Sequence, residues 1–204
     1  MEIKVVETKE KLKEVFVFLS RLFFEDAKEY NEHYYTMSER FTEMSHQFEK
    51  DNELLLYIEE NRKIVAAITA KNMDTEKKKI TLGIIGVSKE YRRKGYAKIL
   101  IKKFENTCKK KNIIHIDLGA RFRACPLYIE MGYKPSLMIQ VFDFTTIQDI
   151  RKANTFNLKE TSSWQGDTYG FIFYNIPKVD EKYIDVFEKN VSTAHAQFIF
   201  EKDL

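Results

Sequence analysis

The chain has 204 residues, of which 44% are hydrophobic and 14% aromatic, and this composition excludes a disordered or collagen-like protein. Lysine and arginine number 34 against 31 aspartates and glutamates, so the formal charge of +3 argues against nucleic acid or another polyanion as a partner. Two cysteines, four histidines without ligand spacing and no long apolar run predict a cytoplasmic protein without disulfides, metal or membrane span.

The first predicted elements are a short strand and two helices. Residues 3–5 alternate like a strand, and Thr8 precedes a run in which apolar residues recur at helical spacing. Residues 28–50 are polar and favour an exposed second helix or a lid. Carboxylates in and before this region predict either a solvated helix face or an acidic rim that attracts a cationic amine: Glu25, Asp26, Glu29, Glu32, Glu39 and Glu43.

Three strands are predicted next. Two apolar runs flank Asn61-Arg62 and indicate a β-hairpin over residues 54–68. A third strand is predicted over residues 80–87. Its glycines, Gly83 and Gly86, are unfavourable inside a regular strand and indicate a bulge, or a close approach of another backbone or a ligand.

A strand that ends at Val87, a basic turn and a following helix form the central motif of the sequence. The first N–H groups of a helix lack internal partners and carry partial positive charge, so such a helix end receives a phosphate well. Gly95 allows a ligand to approach the backbone, and the turn places Arg92, Arg93 and Lys94 where cations are unfavourable unless an anion binds. An ordinary basic surface turn is the alternative.

Helices and strands alternate through the rest of the chain. After the helix that follows Gly95, the pattern predicts a strand at 113–118, a helix at 125–131 and a strand from Tyr133 toward Phe144. The remaining predicted elements are a helix at 147–156, strands at 158–164 and 169–176, a helix at 180–190 and a strand at 196–200. With the preceding strand, this βαββαβ order favours a small ferredoxin-like α+β module.

Two of these motifs, taken together, carry a family resemblance. Arg92-x-x-Gly95-x-Ala97 at the start of a helix, followed by Ala124-x-x-Leu127-Tyr128-x-x-x-Gly132-Tyr133 one helix and one strand later, resembles the GNAT superfamily of N-acetyltransferases. The resemblance covers roughly residues 1–140. It implies an α/β fold with a GNAT-type mixed central sheet flanked by helices over residues 1–137. The ferredoxin-like α+β module predicted from the element order forms a C-terminal domain at 138–204, which the resemblance does not cover.

The resemblance also implies acetyl-coenzyme A as co-substrate. Backbone amides of the motif would hold its pyrophosphate, and main-chain groups of the bulged strand would pair with its pantetheine arm. Arg121 stands where the family often has asparagine, and either Arg121 or Arg123 would instead meet a phosphate. The cofactor-binding residues implied are Ile85, Val87, Arg92, Arg93, Lys94, Gly95, Tyr96, Ala97 and Arg121.

Three side chains are candidates for the chemistry. By resemblance, Tyr128 protonates the leaving thiolate, although a half-buried packing role is the alternative. The strand at 80–87 offers no carboxylate as base, whereas His115 and Asp117 lie two residues apart on one side of their strand and would relay a proton through water. A structural histidine is the alternative for His115, and Cys125 is read as structural.

The function predicted is acetyl transfer from acetyl-coenzyme A to a primary amine, with a small molecule favoured over a protein terminus. A non-catalytic acyl-coenzyme A sensor is the rival. For the C-terminal module the sequence leaves three roles open, namely covering the substrate cleft, extending the sheet, and forming the contact of a homodimer.

Overall fold

A computed structural model of the chain describes residues 2–30, 38–142 and 145–204. Two compact units are present, one of residues up to 116 together with 203–204, and one of residues 117–202. The predicted boundary between 137 and 138 lies inside one strand, and the division into domains at that point stays a prediction. The helices and strands are β1 (Ile3–Val5), α1 (Lys9–Tyr30), α2 (Ser38–Lys50), β2 (Leu56–Glu60), β3 (Lys63–Asp74), β4 (Lys79–Val87), α3 (Tyr96–Lys110), β5 (His115–Ala120), α4 (Cys125–Glu130), β6 (Lys134–Phe142), α5 (Ile147–Ala153), β7 (Lys159–Gln165), β8 (Tyr169–Asn175), α6 (Lys182–Asn190) and β9 (His195–Asp203).

The first unit contains an antiparallel sheet in the order β1-β2-β3-β4. The predicted hairpin is confirmed, since β2 and β3 are joined by Asn61 and Arg62 with φ angles of 51° and 61°. Positive φ at both central residues is the requirement of a type I′ turn, whose twist matches that of the two strands. The turn fixes the pairing of β2 with β3, and β4 pairs with the other edge of β3.

Helices α1 and α2 pack on this sheet through one apolar cluster. Buried residues of α1, such as Leu19 and Leu22, meet Ala67 of β3 and Ile84 of β4 in this cluster. The predicted second helix is present as α2, but it is not exposed all round, because Met44 belongs to the same cluster; the alternative of a lid stays a prediction. The polar residues of α2 hid an amphipathic pattern. The part of the predicted helix between residues 31 and 37 lies outside the described residues.

Helix α3 packs against β2, β3 and β4. Its buried stripe is formed by Leu100, Ile101, Phe104 and Cys108, which recur at helical spacing. Residues 65–70 of β3 are buried without alternation. A strand buried on both faces must be covered from both sides, which explains why this run is uniformly apolar apart from Thr69.

The second unit has the strand order β5-β9-β6-β8-β7. Neighbours are antiparallel among β9, β6, β8 and β7, and the element order from β6 to β9 is the predicted βαββαβ. Strands β8 and β7 continue the sheet of this unit beyond β6. The predicted α/β fold with helices flanking the sheet is confirmed; the strand from Tyr133 ends at Phe142, and its predicted end near Phe144 lies outside the described residues.

The two faces of β8 differ in how deeply their side chains are buried. Ile172 and Tyr174 are buried, and the Tyr174 ring stacks on Phe187 of α6 with 5.7 Å between centroids. On the other face Trp164 of β7 is 45% exposed and stacks on Phe171 of β8 at 5.6 Å. The residues of β8 therefore alternate between a buried face and a half-buried one.

Candidate functional site

The turn between β4 and α3 has the backbone conformation of an open anion cradle. A short 3-10 turn at Lys89–Tyr91 leads into extended Arg92. Arg93 and Gly95 then have positive φ angles of 63° and 86°. Gly95 precedes α3, and the helix has neither a capping side chain at this position nor an acidic residue in its first turn. The first N–H groups of α3 are thus presented to an external acceptor.

Gly95 leaves space at the mouth of this cradle. A Cβ built on Gly95 would meet no heavy atom within 4 Å. Its φ angle lies in the left-handed region, which costs an L-residue about 1 kcal/mol or more. Glycine is therefore required by the backbone conformation, and it leaves the approach to the N–H groups open. These features fit a pyrophosphate.

The Arg92 guanidinium is engaged inside the protein. Its Nε donates to the Val87 carbonyl at 3.1 Å, and one terminal nitrogen donates to Asp26 at 2.8 Å. Asp26 lies near the end of α1 and is only 7% exposed. Lys89 contacts Glu29 on the same helix. The Arg92 side chain thus ties the cradle to α1 and to the end of β4, and phosphate binding by this side chain stays a prediction.

The other cations of the turn face solvent. Arg93 and Lys94 are exposed, and the Lys94 Nζ lies 5.2 Å from the centroid of the Tyr91 ring. Tyr91 makes an edge contact with Tyr96 at 5.6 Å. The Tyr96 hydroxyl donates to Glu60 at 3.2 Å, and burial followed by this hydrogen bond raises the Tyr96 pKa. Two aromatic rings therefore support a rim that carries two positive charges.

A β-bulge interrupts β4 before the cradle. Ile68 pairs with Ile85, but Ala70 pairs with Leu82, so β4 carries one extra residue opposite Thr69. The Thr69 Oγ1 accepts a hydrogen bond from the Ile84 N–H at 2.9 Å. The hydroxyl thus provides an acceptor for a buried backbone N–H that would have no partner where the bulge interrupts the hydrogen bonds between β3 and β4. The bulge predicted from the glycines is confirmed.

The two glycines of β4 have separate structural causes. A Cβ on Gly83 would lie 2.8 Å from the Thr69 Oγ1, so a side chain there would disturb the bulge. A Cβ on Gly86 would lie 2.6 Å and 2.9 Å from the side chains of Leu22 and Leu19. Gly86 is thus explained by the close packing of α1. Ile85 and Val87, the predicted pantetheine-binding residues, are half-buried and follow the bulge toward the cradle.

A small cleft, partly open to solvent and with about 20 Å³ accessible to a water-sized molecule, lies against this bulge. Gly83, Ile84 and Thr69 line it from the sheet, and Arg40 and Glu43 line it from α2. Lys71 of β3 also lines the cleft, and its Nζ lies 3.2 Å from the Glu43 carboxylate. The cleft therefore combines an apolar and hydroxyl floor with three charged groups at its edge.

The predicted acidic rim is largely neutralised by neighbouring cations. Asp26 pairs with Arg92, Glu29 with Lys89 and Glu43 with Lys71. Glu25 lies 3.9 Å from Arg21. Glu32 and the side chain of Glu39 lie outside the described residues. Since ion pairing cancels most of the field of a carboxylate, these groups attract a cationic amine less than the sequence suggested.

The structure does not bring His115 to the cradle. Its backbone N–H donates to the Lys78 carbonyl, which precedes the first residue of β4. The cradle follows Val87 at the other end of that strand, roughly 25 to 30 Å away at the usual rise per residue. The His115 Nδ1 lies 2.8 Å from Asp203, and both belong to the first unit. This position favours the structural alternative over a proton relay.

Tyr128 belongs to the second unit, where it lies on α4 and is 4% exposed. Its ring contacts Phe200 at 5.4 Å and Tyr133 at 6.0 Å. Burial raises the Tyr128 pKa well above its usual range, so the phenol keeps its proton at neutral pH. Burial likewise raises the Cys125 pKa to about 12, which supports the structural reading of that thiol.

Asp117 and Arg121 also lie in the second unit, and both side chains are half-buried. Asp117 alternates on β5 with the buried residues Ile116 and Leu118. The Arg121 carbonyl accepts hydrogen bonds from the Ala124 N–H at 2.9 Å and the Cys125 Sγ at 3.5 Å. Arg121 thus begins the turn that leads into α4, and roles for both side chains stay predictions.

Sequence reasoning missed Thr69 and Arg40, and it named Asp26 as part of an acidic rim and not as the partner of Arg92. Asp26 follows Leu22 by four positions and so continues the buried stripe of α1, which is a readable signal. Thr69 is the polar residue in an apolar run, but its partner across the strand depends on a bulge register that no local pattern reveals. Arg40 gave no signal, because its position in the cleft depends on the packing of α2.

Two general properties bear on function. Among the side chains that the structure describes, no group of three or more histidine, cysteine, aspartate or glutamate residues could hold a metal ion. Within the same described ranges, no helix is long and apolar enough to cross a membrane.

Comparisons with known proteins agree on one family. Residues 16–133 match the sequence profile of the family described as Acetyltransferase (GNAT) family. No curated protein matches the chain significantly.

Solved structures share the fold. A putative acetyltransferase from Pyrococcus horikoshii is 11% identical, with a TM-score of 0.58 over 100% of this chain and 89% of that one. The ribosomal-protein-alanine N-acetyltransferase of Brucella melitensis is 11% identical, with a TM-score of 0.53 over 100% of both chains. The PaiA N-acetyltransferase of Thermoplasma acidophilum, solved with coenzyme A, is 15% identical, with a TM-score of 0.50 over 86% of this chain and all of that one. At these identities the likeness shows the fold.

Proposed function

Because the chain belongs to the acetyltransferase (GNAT) family, whose members transfer an acetyl group from acetyl-coenzyme A, we propose that its acceptor is the primary amine of a small molecule. The observation that carries the binding of acetyl-coenzyme A is the cradle before α3. The first N–H groups of α3 have no capping side chain, and Gly95 leaves room for a ligand to reach them. Arg93 and Lys94 add positive charge at the same end of the helix. An anion that binds there compensates both the helix dipole and the two cations.

The chemistry requires one bond to form and one to break. The neutral amine attacks the thioester carbon, a C–N bond forms, the C–S bond breaks, the amine loses a proton and the coenzyme A thiolate gains one. A backbone N–H beside the bulge of β4 would stabilise the negative oxygen that develops during attack. The bulge suits this role, because Thr69 holds the neighbouring Ile84 N–H in a fixed geometry.

Tyr128 is the proposed source of the proton for the leaving thiolate. Its raised pKa supports a phenol that is protonated at every physiological pH. The same shift makes it a weak acid, so transfer must be coupled to the charge that develops on sulfur. For the base we propose no residue of β4, since residues 79–87 include no carboxylate, and solvent accepts the amine proton.

The cleft beside the bulge supports the proposal that the amine substrate is a small molecule. This cleft is narrow, and the helix α2 closes one side of it, which favours a compact acceptor.

Calorimetry with acetyl-coenzyme A tests the cradle, and thiol release in the presence of primary amines tests transfer. The Arg93→Glu/Gly95→Glu double variant should lose binding that the native protein has. If the native protein binds acetyl-coenzyme A but no amine increases thiol release, the protein is a non-catalytic acyl-coenzyme A sensor and the proposed transfer is wrong. If the native protein does not bind it, the cradle assignment is wrong.

A further inference from the structure

The charged groups of the cleft beside the bulge are not balanced. Glu43 and Lys71 form an ion pair at 3.2 Å and offset one another. Arg40 lines the same cleft, and within the described part of the chain no carboxylate pairs with its guanidinium. Among the lining residues that the structure describes, the charges therefore sum to one net positive charge, from a side chain able to bind a planar anion through two parallel hydrogen bonds.

The position of Arg40 does not help its own helix. It is the third residue of α2, and a cation in the first turn opposes the partial positive charge of a helix N-terminus. Nor is its side chain in open solvent, since it is half-buried against the cleft. A half-buried cation at an unfavourable helix position, facing a cleft, is a group that gains stability when an anion enters that cleft.

The floor of the cleft sets the orientation of an occupant. Gly83, Ile84 and the Thr69 hydroxyl lie at the bulge, where the proposed function places the thioester. Arg40 lies on α2, on the other wall. An acceptor with its amine at the bulge would therefore present the opposite end of the molecule to Arg40.

We propose that Arg40 selects primary amines that carry a carboxylate or phosphate group, as amino acids and phosphorylated amino alcohols do. This inference rests on the proposed acetyl transfer and specifies its substrate class. A guanidinium binding a carboxylate or phosphate provides charge-assisted hydrogen bonds, which discriminate by about tenfold or more against an acceptor with a neutral group. A cationic group in place of the anion would be disfavoured further.

The test compares matched acceptors that differ in one group. Glycine, phosphoethanolamine, ethanolamine and ethylenediamine present a carboxylate, a phosphate, a hydroxyl and an ammonium group beside a primary amine. Initial rates of thiol release give kcat and KM for each, and the first two acceptors separate the carboxylate from the phosphate. We expect kcat/KM for the better anionic acceptor to exceed that for ethanolamine by about tenfold or more.

Variants of Arg40 assign the preference to this side chain. Arg40→Gln keeps the helix propensity and should raise KM for the anionic acceptor by about tenfold while leaving kcat and the affinity for acetyl-coenzyme A unchanged. Arg40→Lys should restore part of the preference. Arg21→Gln, which removes an exposed arginine from α1, is the matched control and should change neither.

The outcomes distinguish failure of the proposed role of Arg40 from failure of the proposed acetyl transfer. Equal use of ethanolamine and the anionic acceptors, or a preference that survives Arg40→Gln, overturns the role of Arg40 and leaves acetyl transfer intact. Binding of acetyl-coenzyme A without turnover of any of the four amines or of a wider amine panel overturns both.

Discussion

The carboxylate of Asp26, buried near the end of α1, accepts a hydrogen bond at 2.8 Å from Arg92 at the cradle, and this pair joins a helix to the turn that precedes α3. A buried ion pair that loses one charge leaves the other uncompensated. Asp26→Asn should therefore loosen the cradle and raise the Kd of acetyl-coenzyme A by about tenfold, with little change in kcat at saturation.

Calorimetry and steady-state kinetics measure these two effects. Glu25→Gln is the matched control, because Glu25 is the neighbouring carboxylate and makes only a distant pair with Arg21 at 3.9 Å. An equal loss of affinity in both variants would mean that the general charge of α1, and not the Asp26–Arg92 bond, supports binding.

Gly95→Ala should weaken acetyl-coenzyme A binding beyond the effect of backbone strain. The φ angle of 86° makes alanine unfavourable by about 1 kcal/mol, and the added methyl group also projects into the open mouth of the cradle. Gly132 has a φ angle of 82° in the second unit, so Gly132→Ala introduces comparable strain at another place. Melting temperatures should fall in both variants, whereas only Gly95→Ala should change the affinity; equal affinities would remove Gly95 from the binding site.

Thr69→Val should destabilise the protein and lower kcat together. Valine keeps the shape but leaves the buried Ile84 N–H without its acceptor, at a cost of about 1 to 3 kcal/mol. Thr107→Val removes a hydroxyl that donates to the Lys103 carbonyl within α3, and this helix keeps its own backbone bonds, so the control should be near neutral. Denaturant titrations and kinetics report the two effects, and a fully active Thr69→Val would show that the bulge geometry is not required for transfer.

Tyr128→Phe should lower kcat strongly while the Kd of acetyl-coenzyme A stays the same. The reason is that the ring contacts with Phe200 and Tyr133 survive, and only the proposed proton donor is lost. Because burial raises the Tyr128 pKa, ionisation of this phenol should cause no decline in the native rate up to at least pH 9. Native-like turnover in the phenylalanine variant would assign Tyr128 to packing alone.

The Arg151–Glu160 pair predicts a pH dependence of stability in the second unit. The bonds from Arg151 and then from Ser163 lower the Glu160 pKa from 4.5 to about 2. A depressed folded-state pKa contributes stability that is complete above the unfolded value near 4.5 and is lost as the pH falls toward 2. Glu160→Gln should therefore be less stable than the native protein at pH 6, and the difference should disappear near pH 2.

Trp164 is the single tryptophan of the chain and lies on the same strand as Glu160, so its fluorescence during urea unfolding measures this effect. Asp167→Asn, in the exposed turn between β7 and β8, is the control for a lost carboxylate. A stability difference for Glu160→Gln that stays constant between pH 6 and pH 3 would contradict the assignment.

Local sequence patterns predicted which helices and strands are present better than they predicted the residues at which these begin and end. Helix α1 continues to Tyr30, beyond the apolar stripe that ends at Phe23, because Asp26 and Ala27 are themselves buried. The hairpin at Asn61-Arg62 was readable since turn chemistry is local. Strand order was not readable: nothing near β9 in the sequence indicates that it lies between β5 and β6.

The cradle was predictable for the same reason as the hairpin. Gly95 and its neighbours are consecutive in sequence, so one short segment contains the whole motif. The pairing of Asp26 with Arg92 and the cleft around Arg40 join segments that are distant along the chain. Their geometry depends on how α1 and α2 pack on the sheet, which periodicity alone does not specify.

The position of β9 has a consequence for synthesis of the protein. Strands β5 and β6 are made more than 50 residues before the strand that separates them in the sheet, as the bounds of β6 (Lys134–Phe142) and β9 (His195–Asp203) show. During translation, both strands leave the ribosome with an unpaired edge that only β9 can cover. Nascent chains that stall before residue 195 should therefore depend on chaperones and aggregate most readily through these two edges.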